Sequence, residues 1–187
     1  MANEKKLDCV ILGLLSHEDL TGYEIKKRID TGLKFFWSAS YGSIYPTLKE
    51  LAAKGLAARA NSAESNRNRI SYSITEQGRQ YLRDWLEISV EKDELRYETL
   101  LKLFFSDNSN EKTALWHIGK FETKIREELL FLKLAVRNLE RTGCKDRTHL
   151  YYLLTARFGV KAYNAYLEWC EETSAILSKK KRKKHYV

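Results

Sequence analysis

Apolar residues recur at helical spacing near the start of the chain. Leu7, Val10, Ile11, Leu14 and Leu15 predict a first helix over roughly residues 5–15, and the polar residues 16–19 read as a connector. Thr21 and Glu24 have the spacing of a capping box, so a second helix is expected there, with Ile25, Ile29 and Leu33 on one face and Gly32 as its stop. A third helix is predicted to begin near residues 38–40, after the aromatic cluster Phe35-Phe36-Trp37. It buries Ile44, Leu48 and Leu51 and ends at a glycine cap, Gly55. Pro46 interrupts that pattern. A start near Tyr41 costs it one hydrogen bond, whereas a start near Ser43 places it in the first turn, where a missing N–H matters little. The period then changes: residues 56–60 read as a short strand, 61–68 as a polar loop, and Ile70-Ser71-Tyr72-Ser73-Ile74 alternates strictly, as a half-buried strand does. Thr75 caps a fourth helix carrying Tyr81, Leu82, Trp85 and Leu86.

Beyond residue 90 the pattern is helical throughout. Leu95, Leu100, Leu103 and Phe104 mark a short helix, and residues 107–110 a turn. Ile118, Ile125, Leu132 and Leu139 then recur every seven residues, with Leu115, Leu129 and Val136 in the companion register, until Gly143 closes the segment. A last long helix carries Ala156, Tyr163, Cys170 and Leu177 in one register and Leu153, Val160 and Leu167 in the other. Two long apolar seams exceed what a small N-terminal domain can cover, which predicts pairing with each other and with a second copy of the chain. The expected division is a domain over 1–90, a helical dimerisation and effector domain over 91–178, and a basic tail over 179–187.

Helix, helix, helix, strand, loop, strand, helix within about 85 residues is the order of a winged helix-turn-helix, in which the third helix is the recognition helix and the strand pair the wing. The fold class is therefore mainly α with a small β wing, followed by an antiparallel pair of long helices. Charge adds less than its sum suggests. The net charge is +8, but six consecutive basic residues, Lys179 to Lys184, supply most of it, and without them the balance is +2. A nucleic-acid role has to be argued from the placement of charge, not from the total.

Cys9, Cys144 and Cys170 are odd in number and far apart, with no CxxC or Cys/His cluster, so no metal and no disulfide framework is expected. His117 and His149 are isolated. The apolar run near the N-terminus lacks the marks of a signal peptide and no stretch approaches a membrane span, which points to the cytoplasm. Enzyme motifs such as GxSxG, HExxH, GxGxxG and the phosphate-binding loop are absent, so neither an enzyme nor a cofactor is expected.

Residues 32–56, GLKFFWSASYGSIYPTLKELAAKGL, together with Ile-Leu-Gly-Leu-Leu at 11–15, Thr-Gly-Tyr-Glu-Ile at 21–25 and the run from Tyr72 to Gly78, resemble the signature of PadR-type regulators. The second half is similar in pattern and length to the longer branch of that family. The resemblance implies a dimeric DNA-binding transcriptional regulator, most simply a repressor on an inverted-repeat operator in double-stranded DNA, released by a small aromatic or hydrophobic effector. A winged module that binds protein or small molecules without reading DNA is the alternative. The resemblance and the solvent face of the third helix together single out Ser40, Tyr41, Gly42, Ser43, Tyr45, Thr47 and Lys49 for DNA contact. Serine and tyrosine hydroxyls can bond phosphates or base edges, and a glycine lets the backbone approach. The plainer reading makes Tyr41 and Tyr45 partly core aromatics and Lys49 a solvated cation; the resemblance favours DNA contact. Arg67 and Arg69, among asparagines on the wing, suit the minor groove; Lys26 and Lys27 suit phosphate or plain solvation. Effector contacts are expected at Tyr151, Tyr152, Arg157 and Phe158, although aromatics at helical spacing are more often core.

Overall fold

A computed structural model describes residues 2–61, 70–90, 93, 96–143 and 146–183. The chain divides into two compact units, Met1–Asp93 and Glu94–Val187. The first unit contains α1 (Ala2–Leu15), β1 (Leu20–Thr21), α2 (Gly22–Arg28), α3 (Tyr41–Ala53), β2 (Ala57–Asn61), β3 (Ile70–Ile74) and α4 (Glu76–Glu87). The strands form an antiparallel sheet in the order β1-β3-β2, with Leu20 opposite Tyr72 and Arg59 opposite Tyr72 on its other side.

Most of the predicted apolar positions make the core, joined by Leu12, which the helical spacing does not single out, while Val10, Leu14 and Leu33 are only partly buried. Ile11, Leu12, Leu15, Ile25, Ile29, Ile44, Leu48 and Leu51 are fully buried, and Leu20, Leu56, Ala57 and Tyr72 close it from the sheet side. The capping box at α2 forms as the sequence predicts: the Glu24 backbone N–H donates to Thr21 Oγ1 at 3.3 Å, and the Thr21 N–H donates to the Glu24 carboxylate at 2.8 Å. At the far end of α3, Gly55 takes φ +69°, its N–H reaches the Ala52 carbonyl and that of Leu56 reaches the Leu51 carbonyl at 2.9 Å. These two bonds are a Schellman turn, and the positive φ is why a glycine stands there.

One hydroxyl ties that turn to the next helix. Thr75 Oγ1 donates to the Gly55 carbonyl at 2.7 Å, with the Leu56 carbonyl 3.1 Å away, and accepts from the Gly78 N–H at 3.0 Å as the N-cap of α4. The end of α3, the start of β2 and the start of α4 thus meet at a single side chain.

Two local features differ from expectation. The two-residue strand β1 occupies the stretch between the connector and α2, too short to produce any periodicity in sequence. The second helix does not stop at Gly32 but passes into a π-helical turn over Ile29–Leu33. Of the two starts open for α3, the structure has the earlier: α3 begins at Tyr41 behind the Ser40 cap, so Pro46 lies inside it. Both Pro46 and Gly42 are exposed, so water can take the place of the missing bond to the Gly42 carbonyl.

Cys9 is buried in α1, and burial, reinforced by the charge of Asp8, pushes its thiol up from 9.0 to about 11. The folded chain holds this proton where the unfolded chain releases it. Stability from this residue is complete below pH 9 and falls as the pH climbs towards 11. The urea midpoint of the wild-type chain should therefore drop more steeply between pH 8.5 and 10.5 than that of Cys9→Ala. Parallel curves would remove the assignment.

The second unit contains α5 (Glu98–Phe104), a 3-10 turn at Ser106–Asn108, α6 (Glu111–Thr142) and α7 (Arg147–Lys183). Asn110 caps α6, accepting the Thr113 N–H at 2.9 Å. The heptad seam of α6 (Ile118, Ile125, Leu129, Leu132) packs on Leu153, Tyr163 and Cys170 of α7, all buried. The pairing is antiparallel: Tyr163 donates its hydroxyl to Glu128 at 2.8 Å, Arg157 bonds Glu140 at 2.6 Å, and a Cβ on Gly159 would lie 3.2 Å from the Leu132 methyls.

Candidate nucleic-acid interface

Ile44, Leu48 and Leu51 face inward on α3, which fixes what its other side presents. Tyr41, Gly42, Tyr45, Pro46, Lys49 and Glu50 are exposed, while Ser43 and Thr47 are half-buried. Three of the small polar side chains serve the helix itself. Ser40 Oγ accepts the Ser43 N–H at 3.2 Å as N-cap, Ser43 donates to the Ser40 carbonyl at 2.9 Å, and Thr47 donates to the Ser43 carbonyl at 2.8 Å. Tyr41, Tyr45 and Lys49 are different. No hydrogen bond to their side chains and no ion pair occurs among the described residues.

The two tyrosines are surface groups with an ordered arrangement, not core aromatics. Both are 45% exposed, and their rings stack at 6.3 Å with 20° between planes. Lys26 of α2 lies over the Tyr41 ring, its ammonium 5.6 Å from the centroid, and also pairs with Asp30. Lys26 is thus engaged within the domain, whereas Lys27 beside it is exposed. Gly22, the first residue of α2, is buried against Tyr45: a Cβ there would stand 2.6 Å from Cε1 and 2.9 Å from Cζ of the ring. Sequence reasoning assigned Gly22 no role. Its only trace is a small residue one turn before Lys26, which nothing in the pattern of α2 marks as a contact. Arg67 and Arg69 lie outside the described residues.

None of the four residues singled out for an effector lines the main cleft of the second unit. Tyr151, Tyr152 and Phe158 are more than half exposed, Tyr151 accepts a bond from Arg147 at 3.2 Å, and Arg157 is taken by Glu140. A cleft of about 500 Å³ occurs elsewhere in the second unit, lined by Tyr97, Trp116, Phe121, Lys124, Glu128 and Tyr163 among others. Tyr97 donates to the Tyr166 hydroxyl at 3.0 Å, and the Tyr97 and Phe121 rings meet edge-on at 5.7 Å. Burial, together with the bonds to Tyr166 and Glu128, drives the phenols of Tyr97 and Tyr163 well above their ordinary range, so both remain neutral hydrogen-bonding groups. Sequence spacing did not reveal this cleft: Tyr163 reads as an ordinary seam residue, and nothing in the pattern marks Tyr97 or Trp116. Among the described residues no group of three or more His, Cys, Asp or Glu could hold a metal ion, and no helix is long and apolar enough to cross a membrane.

A capped third helix, a three-stranded antiparallel sheet whose β2–β3 pair is the wing, and a second unit of long paired helices define the chain as a winged-helix regulator. Residues 11–84 match the transcriptional regulator PadR-like family, and residues 95–178 match the virulence activator alpha C-terminal family. The negative transcriptional regulator PadR of Bacillus subtilis is 26% identical over 179 residues, covering 92% of this chain and 98% of that protein. Two crystal structures of B. subtilis PadR are similar throughout. The complex with operator DNA has a TM-score of 0.77 at 27% identity, covering 91% of this chain and 98% of that one. The complex with p-coumaric acid has a TM-score of 0.71 at 26% identity, covering 94% and 97%. The likeness to PadR-like transcriptional regulators thus extends over both units of the chain.

Proposed function

We propose that the protein is a cytoplasmic, homodimeric repressor that places α3 of each subunit in a major groove of an inverted-repeat operator and leaves the DNA when a small molecule binds. The observation that carries this reading is the solvent face of α3. Tyr41, Tyr45 and Lys49 stand exposed, with no partner for their side-chain polar atoms among the described residues, around the bare backbone of Gly42. A helix enters the roughly 12 Å major groove only with such a face outward. Ser40, Ser43 and Thr47 border the same face and hold the first turns of α3 in shape. Arg67 and Arg69 are assigned to the minor groove from sequence alone. B. subtilis PadR, which has been crystallised on operator DNA and with p-coumaric acid, supports both halves of the proposal by likeness.

Salt-graded band shifts on the promoter fragment of the protein's own gene test the DNA half. A regulator of this kind prefers that fragment over random duplex at moderate salt. Equal affinity for both would leave only the backbone attraction any basic surface has. The effector is assigned to the cleft beside Tyr97 and Phe121 in preference to Tyr151, Tyr152, Arg157 and Phe158, because the cleft is concave and lined by both rings and cations.

The dimer is assigned to apolar surface that the α6–α7 seam leaves uncovered. Tyr151, Leu154 and Phe158 follow one another at helical spacing on α7, and Leu130, Phe131 and Leu134 are exposed on α6. A second copy is the simplest cover for such a face. Leu154→Glu combined with Phe158→Glu should convert the dimer to monomer in sedimentation equilibrium and weaken operator binding with it. A double variant that sediments as wild type would place the interface elsewhere.

A further inference from the structure

We infer that Gly22 is a positioning residue for DNA recognition: by lacking a side chain it seats the ring of Tyr45 and so fixes the aromatic row that α3 presents. The inference rests on the DNA-binding reading of α3 and names the group outside α3 that sets its contact surface.

Two pairs of residues interlock. Gly22 and Lys26 are four apart on α2, and Tyr41 and Tyr45 are four apart on α3, so each pair lies on one helix face. Tyr45 covers Gly22, Tyr41 stacks on Tyr45, and Lys26 closes the row over Tyr41. The ring edge of Tyr45 approaches the Gly22 backbone more closely than any Cβ would permit, since Cε1, Cζ and Cδ1 would lie 2.6, 2.9 and 3.2 Å from it.

The backbone gives no other reason for a glycine. Positive φ among the described glycines occurs at Gly55 and Gly143, not at Gly22. A glycine in ordinary helical conformation gains nothing from its freedom and loses more backbone entropy on folding than alanine would. The three atoms nearest to an added Cβ all belong to the Tyr45 side chain, and a side chain at a surface can swing away. Substitution should therefore displace the phenol from its seat rather than break the core around Ile25 and Ile44. Loss of the seat then unstacks Tyr41 and releases Lys26 from its place above it. In a free tyrosine, χ1 and χ2 would have to be ordered when DNA binds; here the fold has ordered them beforehand.

The test is a double-mutant cycle on the full chain: wild type, Gly22→Ala, Tyr45→Ala and the pair, each measured for promoter-fragment affinity and for thermal midpoint. Measurements run at reduced ionic strength, where weakened complexes remain titratable. The expected result is an affinity loss of at least tenfold for Gly22→Ala in the wild-type background. In the Tyr45→Ala background the same change should cost less than twofold and leave the thermal midpoint equal or higher. If Gly22→Ala alone does not fold, recovery of the fold by added Tyr45→Ala identifies the ring as the obstacle and supports the seat. Equal losses in both backgrounds, no loss in either, or failure of the pair to fold would each overturn the inference. Wild-type chain with no preference for its promoter would instead sink the DNA-binding reading itself, which separates the two failures.

Discussion

Replacing Tyr45 or Lys49 with alanine is expected to lower operator affinity by one to two orders of magnitude while the chain remains dimeric and melts at its normal temperature. Neither side chain contributes to the core: Tyr45 is 45% exposed and Lys49 is exposed, so truncation leaves Ile44, Leu48 and Leu51 untouched. Groups at base edges cost about 1–3 kcal/mol when lost, which converts to roughly five- to 150-fold in affinity. The two variants should differ in kind. Tyr45→Ala removes a seated phenol, so its loss should vary with the sequence of the fragment. Lys49→Ala removes a cation, so its loss should be nearly uniform across fragments and should reduce the salt slope by about one. Fluorescence anisotropy at three salt concentrations, with analytical ultracentrifugation for the dimer, checks both. Undiminished affinity in both variants would mean that α3 does not face the DNA.

The largest effect on stability is expected at Gly78, from Gly78→Ala. This glycine sits in the first turn of α4, buried, where an added Cβ would stand 2.0 Å from the carbonyl oxygen of Leu56 and 3.0 Å from Ile74 Cγ1. Unlike the contact at Gly22, the nearest atom belongs to backbone. It cannot turn aside without moving the start of β2 and the bonds that Thr75 makes to Gly55 and Leu56. Overpacking against a fixed wall costs about 3 kcal/mol or more. That is a large share of the roughly 5–15 kcal/mol that holds a domain folded. Two glycines serve as controls: Gly13 in α1 and Gly119 in α6 have nothing within 4 Å of an added Cβ. Gly13→Ala and Gly119→Ala should each stabilise by about 0.5–1 kcal/mol. Urea unfolding followed by circular dichroism measures all three. A Gly78→Ala chain as stable as wild type would show that α4 can lift off the sheet without penalty.

The helices and the two main strands were legible because burial imposes a period. Ile44, Leu48 and Leu51 repeat along a helix, and residues 70–74 alternate along a strand. Caps were legible because Thr21, Ser40 and Thr75 combine the right residue type with the right offset to a backbone N–H. Features with no period were not. The strand β1 has two residues, and the π turn at 29–33 follows an apolar spacing that an α-helix would share. On α3 the outward residues could be named from sequence, but not their state. That Ser40, Ser43 and Thr47 bond their own backbone, while Tyr41 and Tyr45 stack, depends on rotamers that composition does not specify. Pairings between elements were hidden for the same reason. Arg157 invited a ligand in sequence and meets Glu140, seventeen residues back, in the fold.

The Thr75 knot has a consequence for the thermodynamics of association. Because one hydroxyl binds the turn that ends α3 to the cap that starts α4, the reading helix has no hinge at its C-terminal end. It should reach the groove as a prefolded rod rather than ordering on contact, which keeps the conformational entropy lost on complex formation small. In deuterium the amides of Leu56, Thr75 and Gly78 should then be among the last of the first unit to exchange, opening only when that unit unfolds as a whole.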